Sequence, residues 1–232
     1  MSTGAILLCA GRGERLGLGV PKALVSLAGR PLFARVLETL ERSSAIDSIV
    51  VVGPVRALRE ALAASGFAPA KVAAWAEGGR ERQHSVARGL AALPPACDLV
   101  VVHDAARALL SAALLARVVA DARAHGASIA ALPLEDTLKR ATLEVIDDTV
   151  PRAGLWRAQT PQAFRRDWLE EAHRVAAESK APPATDDASM VEAIGSRVRL
   201  TRGEAINFKI TTPEDLWLAE AALLGRAEHE RT

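Results

Sequence analysis

Short aliphatic runs alternate along the chain with longer stretches of helical period. "AILLCA" (5–10), "SIVVVG" (48–53), "KVAAWA" (71–76), "DLVVVHD" (98–104) and "SIAALPL" (128–134) are nearly continuous in apolar residues. Runs of this kind suit strands buried on both faces. Between them, "PLFARVLETLERS" (31–43), "VRALREALAASG" (55–66), "RERQHSVARGLAAL" (80–93) and "SAALLARVVADARAHG" (111–126) carry apolar stripes of helical spacing. Gly66 and Gly126 stand where a helix C-cap glycine belongs. The β-α-β-α order predicts an α/β fold, a doubly wound, mostly parallel sheet flanked by helices.

The rhythm breaks after Leu134. Residues 135–162 hold short β-like pieces without a helical stripe, which predicts either a projecting arm that contacts another subunit or a plain edge hairpin. A helix over about 166–179, a turn at "KAPPATDD", a helix near 187–194, a strand at "RVRLTRG" and a closing helix from Pro213 follow. No repeat or linker divides the chain, so one domain over 1–232 is expected.

Composition narrows the function. Of 232 residues, 50% are apolar and 25% charged, which predicts a sizeable core. Lys plus Arg number 29 against 28 Asp plus Glu, so nothing favours nonspecific binding to nucleic acid or an anionic membrane. Any anion must be held by a few placed cations. Cys9 and Cys97 have no CxxC partner, and "MSTGAILLCAG" lacks the basic start and the length of a signal or spanning segment. A cytoplasmic protein without a disulfide framework is expected.

The candidate chemistry begins behind the first strand, in "LCAGRGERLGLGVPK" (8–22). In an α/β sheet, ligands bind at the carboxyl ends of strands, where this loop lies. A dinucleotide fingerprint needs a third glycine where Leu16 stands, and a Walker loop needs Ser or Thr where Ala23 stands. What remains is Gly11-x-Gly13-x-Arg15 with Pro21-Lys22 beyond. Glycines let backbone N–H groups close on an anion, and Arg15 and Lys22 add full charges. Pro21 helps to aim Lys22. Further on, Asp104 ends a central strand, where a hard carboxylate suits Mg²⁺ bridged to substrate phosphates. Arg107 could form a structural salt bridge or bind a phosphate. Lys209, between Phe208 and Ile210, faces opposite its apolar neighbours.

The opening loop resembles the signature of sugar-phosphate nucleotidyltransferases. "EGGRERQHSV" (77–86), "VVHDAAR" (101–107), "EDTLKRA" (135–141), "GLWRAQTPQAF" (154–164), "TDDAS" (185–189) and "INFKITTPEDL" (206–216) resemble one branch, the 2-C-methyl-D-erythritol 4-phosphate cytidylyltransferases. They run in that family's order over nearly the whole chain. The resemblance implies CTP bound by Ala10, Gly11 and Gly13 and its base read at Gly79, Arg80 and Ser85. It implies a homodimer whose arm carries Arg152 into the partner's site. Asp104, Arg107, Thr137, Arg152, Thr160, Thr185 and Lys209 are then the expected substrate-binding residues, Asp104 also a metal ligand. The plain alternatives are helix surface or capping for Ser85 and Arg82, a solvated loop cation for Arg152 and a helix N-cap for Thr185–Asp186. Arg80, His84 and Ala108 depart from the family's usual residues, which puts a side-chain contact at position 80 in question.

The implied reaction joins CTP to 2-C-methyl-D-erythritol 4-phosphate and releases pyrophosphate, with catalysis by Arg15, Lys22, Arg152, Lys209 and a divalent cation such as Mg²⁺. Its nucleophile is an ionised phosphate, which agrees with the lack of a Ser/His/Asp set. Two other readings are a cytidylyltransferase for another polyol phosphate, such as ribitol 5-phosphate, and a CTP-binding regulator without turnover.

Overall fold

The computed structural model describes residues 1–11, 13, 16–179 and 183–229, the last four of these by backbone alone. The first half alternates as the apolar runs predict: β1 (Ser2–Leu8), α1 (Leu32–Arg42), β4 (Ser48–Val52), α2 (Val55–Ala64), β5 (Val72–Ala76), α3 (Arg82–Ala92), β6 (Cys97–Asp104), α4 (Ala112–His125) and β7 (Ala127–Pro133). A small hairpin of β2 (Ser26–Leu27) and β3 (Arg30–Pro31) precedes α1. Strand β1 starts earlier than its apolar run, because Ser2 and Thr3 already pair with Cys97 and Leu99. It ends at Leu8, which leaves Cys9 and Ala10 to the loop.

The segment expected as one excursion divides in two. Strands β8 (Leu138–Thr142) and β9 (Val145–Val150) form a separate exposed hairpin. Strand β10 (Trp156–Arg165) instead enters the centre of the main sheet. α5 (Arg166–Glu178), α6 (Asp187–Ala193), β11 (Arg199–Arg202) and α7 (Pro213–His229) complete the chain. The seven-stranded sheet runs β11-β7-β10-β6-β1-β4-β5. Its strands are parallel except β10, which is antiparallel to both β6 and β7. An α/β sheet flanked by helices is thus realised with one reversed central strand.

Side chains alternate across the strands, as a pleated strand requires. Ile6, Leu8, Val50, Val52, Val100 and Val102 share one face with residues of α3, α5 and α6. Leu7, Val51, Leu99 and Val101 share the other with residues of α1, α2, α4 and α7. Ser111 caps α4 by accepting the Leu114 N–H at 3.0 Å, and Gly126 ends it at φ +88°. No described helix is long and apolar enough to cross a membrane.

Strand β10 is fixed to β6 by a directed chain of hydrogen bonds. The Asp104 N–H donates to Thr160 Oγ1 at 3.1 Å, and Thr160 Oγ1 lies 3.1 Å from His103 Nδ1. His103 Nε2 lies 3.2 Å from the Arg107 carbonyl, which can only accept. Nε2 therefore carries the ring proton, and the Thr160 hydroxyl donates to Nδ1. A neutral imidazole satisfies every step. Burial pushes the His103 pKa down to about 4, against the raising effects of the Arg107 carbonyl and Asp104.

An unfolded histidine protonates near pH ~6.5, so between there and the folded value of about 4 the unfolded chain binds a proton that the native chain does not. Native stability should therefore fall as pH is lowered through this window, by up to about 3 kcal/mol from His103. Urea unfolding at several pH values, set against His103→Gln, measures this. The variant should be less stable at pH 7 and lose less on acidification; equal losses would assign the titration elsewhere.

Candidate functional site

The carboxyl ends of β1 and β6, with the loop after β5, surround a cleft of about 420 Å³. One wall is the opening loop. The Lys22 N–H donates to the Gly11 carbonyl at 3.1 Å, which folds the loop back over the end of β1. Gly13 sits at φ +74°, where any other residue would be strained, and a Cβ there would press on the Lys22 backbone at 3.2 Å. Lys22 opens a 3₁₀ turn, and its Nζ donates to the Ile210 carbonyl at 3.0 Å. Ala10, Gly11, Gly13 and Lys22 all line the cleft, as expected for a phosphate cradle. Arg15 lies outside the described residues.

The opposite wall is the turn into α3. The Gly79 N–H donates to Ser85 Oγ at 2.9 Å, and the Ser85 hydroxyl donates to the Glu81 carbonyl at 3.2 Å. A Cβ on Gly79 would fall 2.4 Å from His84 Cβ, so no other residue allows this turn. Gly79, Arg80 and Ser85 line the cleft, yet the serine's proton and the Gly79 amide are both engaged within the turn. Ser85 keeps one acceptor lone pair to offer a ligand. Its first task is to hold the turn's shape. Arg80 and His84 are exposed, whereas Ala108 is buried.

Asp104 sits on the cleft floor, 8% exposed. Lys209 Nζ donates to its Oδ2 at 2.8 Å, and Arg82 Nε approaches its Oδ1 at 3.3 Å. Burial works against ionisation, but Arg82 and Lys209 outweigh it and hold the carboxyl well below the usual carboxylate range. Lys209 is brought here because the Ile210 N–H pairs with the Ala106 carbonyl at 2.8 Å. Consecutive residues 209 and 210 thus tether both ammonium groups of the cleft, Lys209 through its own side chain and Lys22 through the Ile210 carbonyl. Among the described residues, no group of three or more carboxylate, imidazole or thiol side chains could enclose a metal. An ionised Asp104 with free lone pairs nevertheless fits a Mg²⁺ whose remaining ligands are water and phosphate oxygens.

The remaining expected residues divide by position. Thr160 is buried and serves the Asp104 amide. Arg107 donates to the backbone carbonyls of Asn207 and Ala158, at 2.8 and 3.3 Å, which ties β10 and the 206–210 segment to the end of β6. Burial lowers its pKa, Asp104 opposing this. Thr137 and Arg152, on the segments flanking the β8–β9 hairpin, and Thr185, beside the α6 N-cap Asp186, are exposed and do not line the cleft of their own chain.

Arg82, whose plain reading is helix surface or capping, borders the site, and Asp187, at the start of the expected helix near 187–194, backs it. Arg82 lines the cleft, and its Nη1 donates to Asp187 Oδ2 at 2.7 Å. Asp187, in the first turn of α6, is fully buried. Burial works against the charge of Arg82, and Asp187 and then Asp104 raise its pKa again. In "RERQHSV" and "TDDASMV" both residues stand among polar neighbours, like ordinary solvent-facing positions, so their pairing across 105 positions left no signal in the sequence.

A sequence model of the 2-C-methyl-D-erythritol 4-phosphate cytidylyltransferase family matches residues 3–225. A relative of that name from Geobacillus kaustophilus is 43% identical over 227 residues, 97% of this chain and 99% of its own length. One from Pelotomaculum thermopropionicum is 45% identical over 226 residues, 96% of this chain and 94% of its own. The crystal structure of the enzyme so named from Thermus thermophilus superposes with a TM-score of 0.77 at 38% identity, covering 94% of this chain and 97% of that one. That of 4-diphosphocytidyl-2C-methyl-D-erythritol synthase from Anaerococcus prevotii gives 0.83 at 28% identity, covering 96% of each. With the glycine cradle, the tethered lysines and a match along almost its whole length, the chain belongs to the 2-C-methyl-D-erythritol 4-phosphate cytidylyltransferase family.

Proposed function

We propose that this chain transfers a cytidylyl group from CTP to 2-C-methyl-D-erythritol 4-phosphate, forming 4-diphosphocytidyl-2-C-methyl-D-erythritol and pyrophosphate, a step of non-mevalonate isoprenoid synthesis in the cytoplasm. The observation that carries the chemistry is the pair of ammonium groups, Lys22 and Lys209, anchored through adjacent residues in a glycine-lined cleft. An oxygen of the polyol phosphate attacks the α-phosphorus of CTP. The new P–O bond forms as the bond to the α,β-bridging oxygen breaks, and pyrophosphate leaves with that electron pair. The nucleophile is ionised at neutral pH, so no base is required, and neutral, buried His103 supplies none.

The barrier is the approach of one anion to another. Positioning and charge neutralisation lower it. Lys22 neutralises the triphosphate and the charge that gathers on the leaving group, a task the sequence assigns to Arg15 as well. Lys209, with Arg152, orients the incoming phosphate. Asp104 would hold a divalent cation such as Mg²⁺, which when bound would supply charge neutralisation to the triphosphate. The base lies along the Gly79–Ser85 turn. Asp104, Arg107, Thr137, Thr160 and Thr185 complete the expected contacts, Arg107 and Thr160 by holding the frame around Asp104.

Arg152 lies outside its own cleft, and this supports a homodimer with composite sites. The hairpin tip exposes Leu143, Val145 and Ile146, at 93%, 67% and 60%, an apolar surface suited to a second copy of the chain. The β8–β9 arm then delivers Arg152 to the neighbour's cleft.

Pyrophosphate release from each nucleoside triphosphate, with Mg²⁺ and with or without 2-C-methyl-D-erythritol 4-phosphate, tests the reaction. Release should require CTP and this polyol phosphate together; equal release with ribitol 5-phosphate, or CTP binding without turnover, would contradict it. Lys22→Ala and Arg152→Ala should each fold and lose at least ~100-fold in turnover. Mixing the two inactive proteins under subunit exchange should restore activity through hybrid dimers. No recovery despite demonstrated exchange would place Arg152 in its own chain's site or in none.

A further inference from the structure

We propose that Arg82 and Asp187 are a charge-balanced positioning pair that sets how strongly Asp104 holds a divalent cation once CTP is bound. The inference rests on the cytidylyltransferase reading of the cleft and assigns a task to two residues which that reading leaves idle.

The geometry is a row of alternating charge, Lys209–Asp104–Arg82–Asp187, leading from the cleft into the interior. Arg82 is shared unequally. Its Nη1 lies 2.7 Å from Asp187 Oδ2, whereas its Nε lies 3.3 Å from Asp104 Oδ1. The fully buried acid therefore takes the stronger half of the guanidinium, and the cleft acid takes a long contact. Asp187 has little choice of partner, since His173 Nε2 stands 3.7 Å from its Oδ1, beyond hydrogen-bonding distance. Nor can it follow Arg82 toward the cleft. The N–H groups of Asp187 and Ala188 both donate to Gln162 Oε1, at 3.2 and 3.3 Å, and Asp186 caps the same turn at 3.0 Å from the Ser189 N–H. α6 is thus pinned to β10.

A cation on Asp104 would meet the positive charge of Arg82 next to it. Asp187 offsets that charge and draws the guanidinium inward, which leaves Oδ1 only loosely engaged. Arg82 Nη2 is buried without a hydrogen-bond partner among the described residues, so the guanidinium retains an unused donor with which to re-form its contacts as Asp104 changes ligand. Without the charge on Asp187, Arg82 would turn its full charge on Asp104 and compete with the metal. The same extra positive charge would leave binding of metal-free CTP unharmed or strengthen it. A merely structural fault would weaken both.

The test uses the full chain and two variants, Asp187→Asn and Arg82→Gln/Asp187→Asn. Calorimetry with a chelator present measures metal-free CTP binding. Electron paramagnetic resonance measures Mn²⁺ binding with protein in excess of CTP and no polyol phosphate. Asp187→Asn should bind metal-free CTP at least as well as the native chain and hold Mn²⁺ roughly tenfold or more weakly. The double variant removes a matched pair, leaves no buried charge uncompensated, and should return to within about threefold of native Mn²⁺ affinity. Folded Asp187→Asn with native Mn²⁺ affinity would overturn the proposal, as would a double variant that binds Mn²⁺ tenfold or more weakly. If the native chain itself held no Mn²⁺ with CTP, the proposed function would fall first and this inference with it.

Discussion

The cleft is organised by the ion pair between Asp104 and Lys209, with Arg82 completing the clamp from the other side. A carboxylate at the end of a buried strand is unfavourable unless opposing charge lies close, and here two cations hold it ionised. Meeting that condition requires four separate parts of the chain to converge. β6 delivers the carboxylate, α3 the guanidinium, the 206–210 segment the ammonium, and β10 the hydroxyl that receives the Asp104 amide. The glycines of the opening loop and of the turn into α3 then let backbone close around the same point.

Reversal of β10 is what makes this convergence possible. An antiparallel strand between β6 and β7 places its Thr160 beside Asp104 and its Gln162 against the first turn of α6. One strand thereby aligns both acids that face Arg82. Gln159, Thr160 and Gln162 of β10 are buried but not orphaned. Gln159 accepts from the Glu204 N–H and Asn207 Nδ2 and donates to the Glu204 carbonyl, while Gln162 receives two amides and donates to Asp186. Buried polar groups with partners cost little and fix one arrangement among many. The alignment needed by a reaction between anions thus comes from a hydrogen-bonded frame, since an almost neutral chain has no broad field to provide it.

How much was legible follows from the kind of force involved. Strands β1, β4, β5, β6 and β7 and helices α1 to α4 are driven by apolar burial, which leaves a periodic trace, and they stand close to where that trace put them. β10 leaves a weaker trace: "WRAQTPQAFR" has only a short apolar pair, Ala163–Phe164, and is held by backbone pairing to β6 and β7 and by side-chain hydrogen bonds to distant residues, with Pro161 at the break in its register with β7. In the site, Gly11, Gly13, Lys22, Asp104 and Lys209 were expected together and line one cleft, because close backbone approach and placed charges near the carboxyl ends of strands leave a readable pattern. Arg107 was open between two uses and is found tied to backbone carbonyls. Ser85, which the resemblance assigns to the base, braces its own turn and keeps one lone pair on the cleft. Arg82 and Asp187 were invisible as a pair, since each alone reads as an ordinary helical position.

The central claim is that the negative charge of Asp104 serves the reaction beyond its part in ordering the cleft. The direct measurement is turnover and metal-free CTP binding by Asp104→Asn, with folding checked by thermal melting. Arg82 keeps Asp187 in this variant, so it should fold, bind CTP as well as the native chain or better, and lose at least ~100-fold in turnover. Turnover within a few-fold of native would contradict the account.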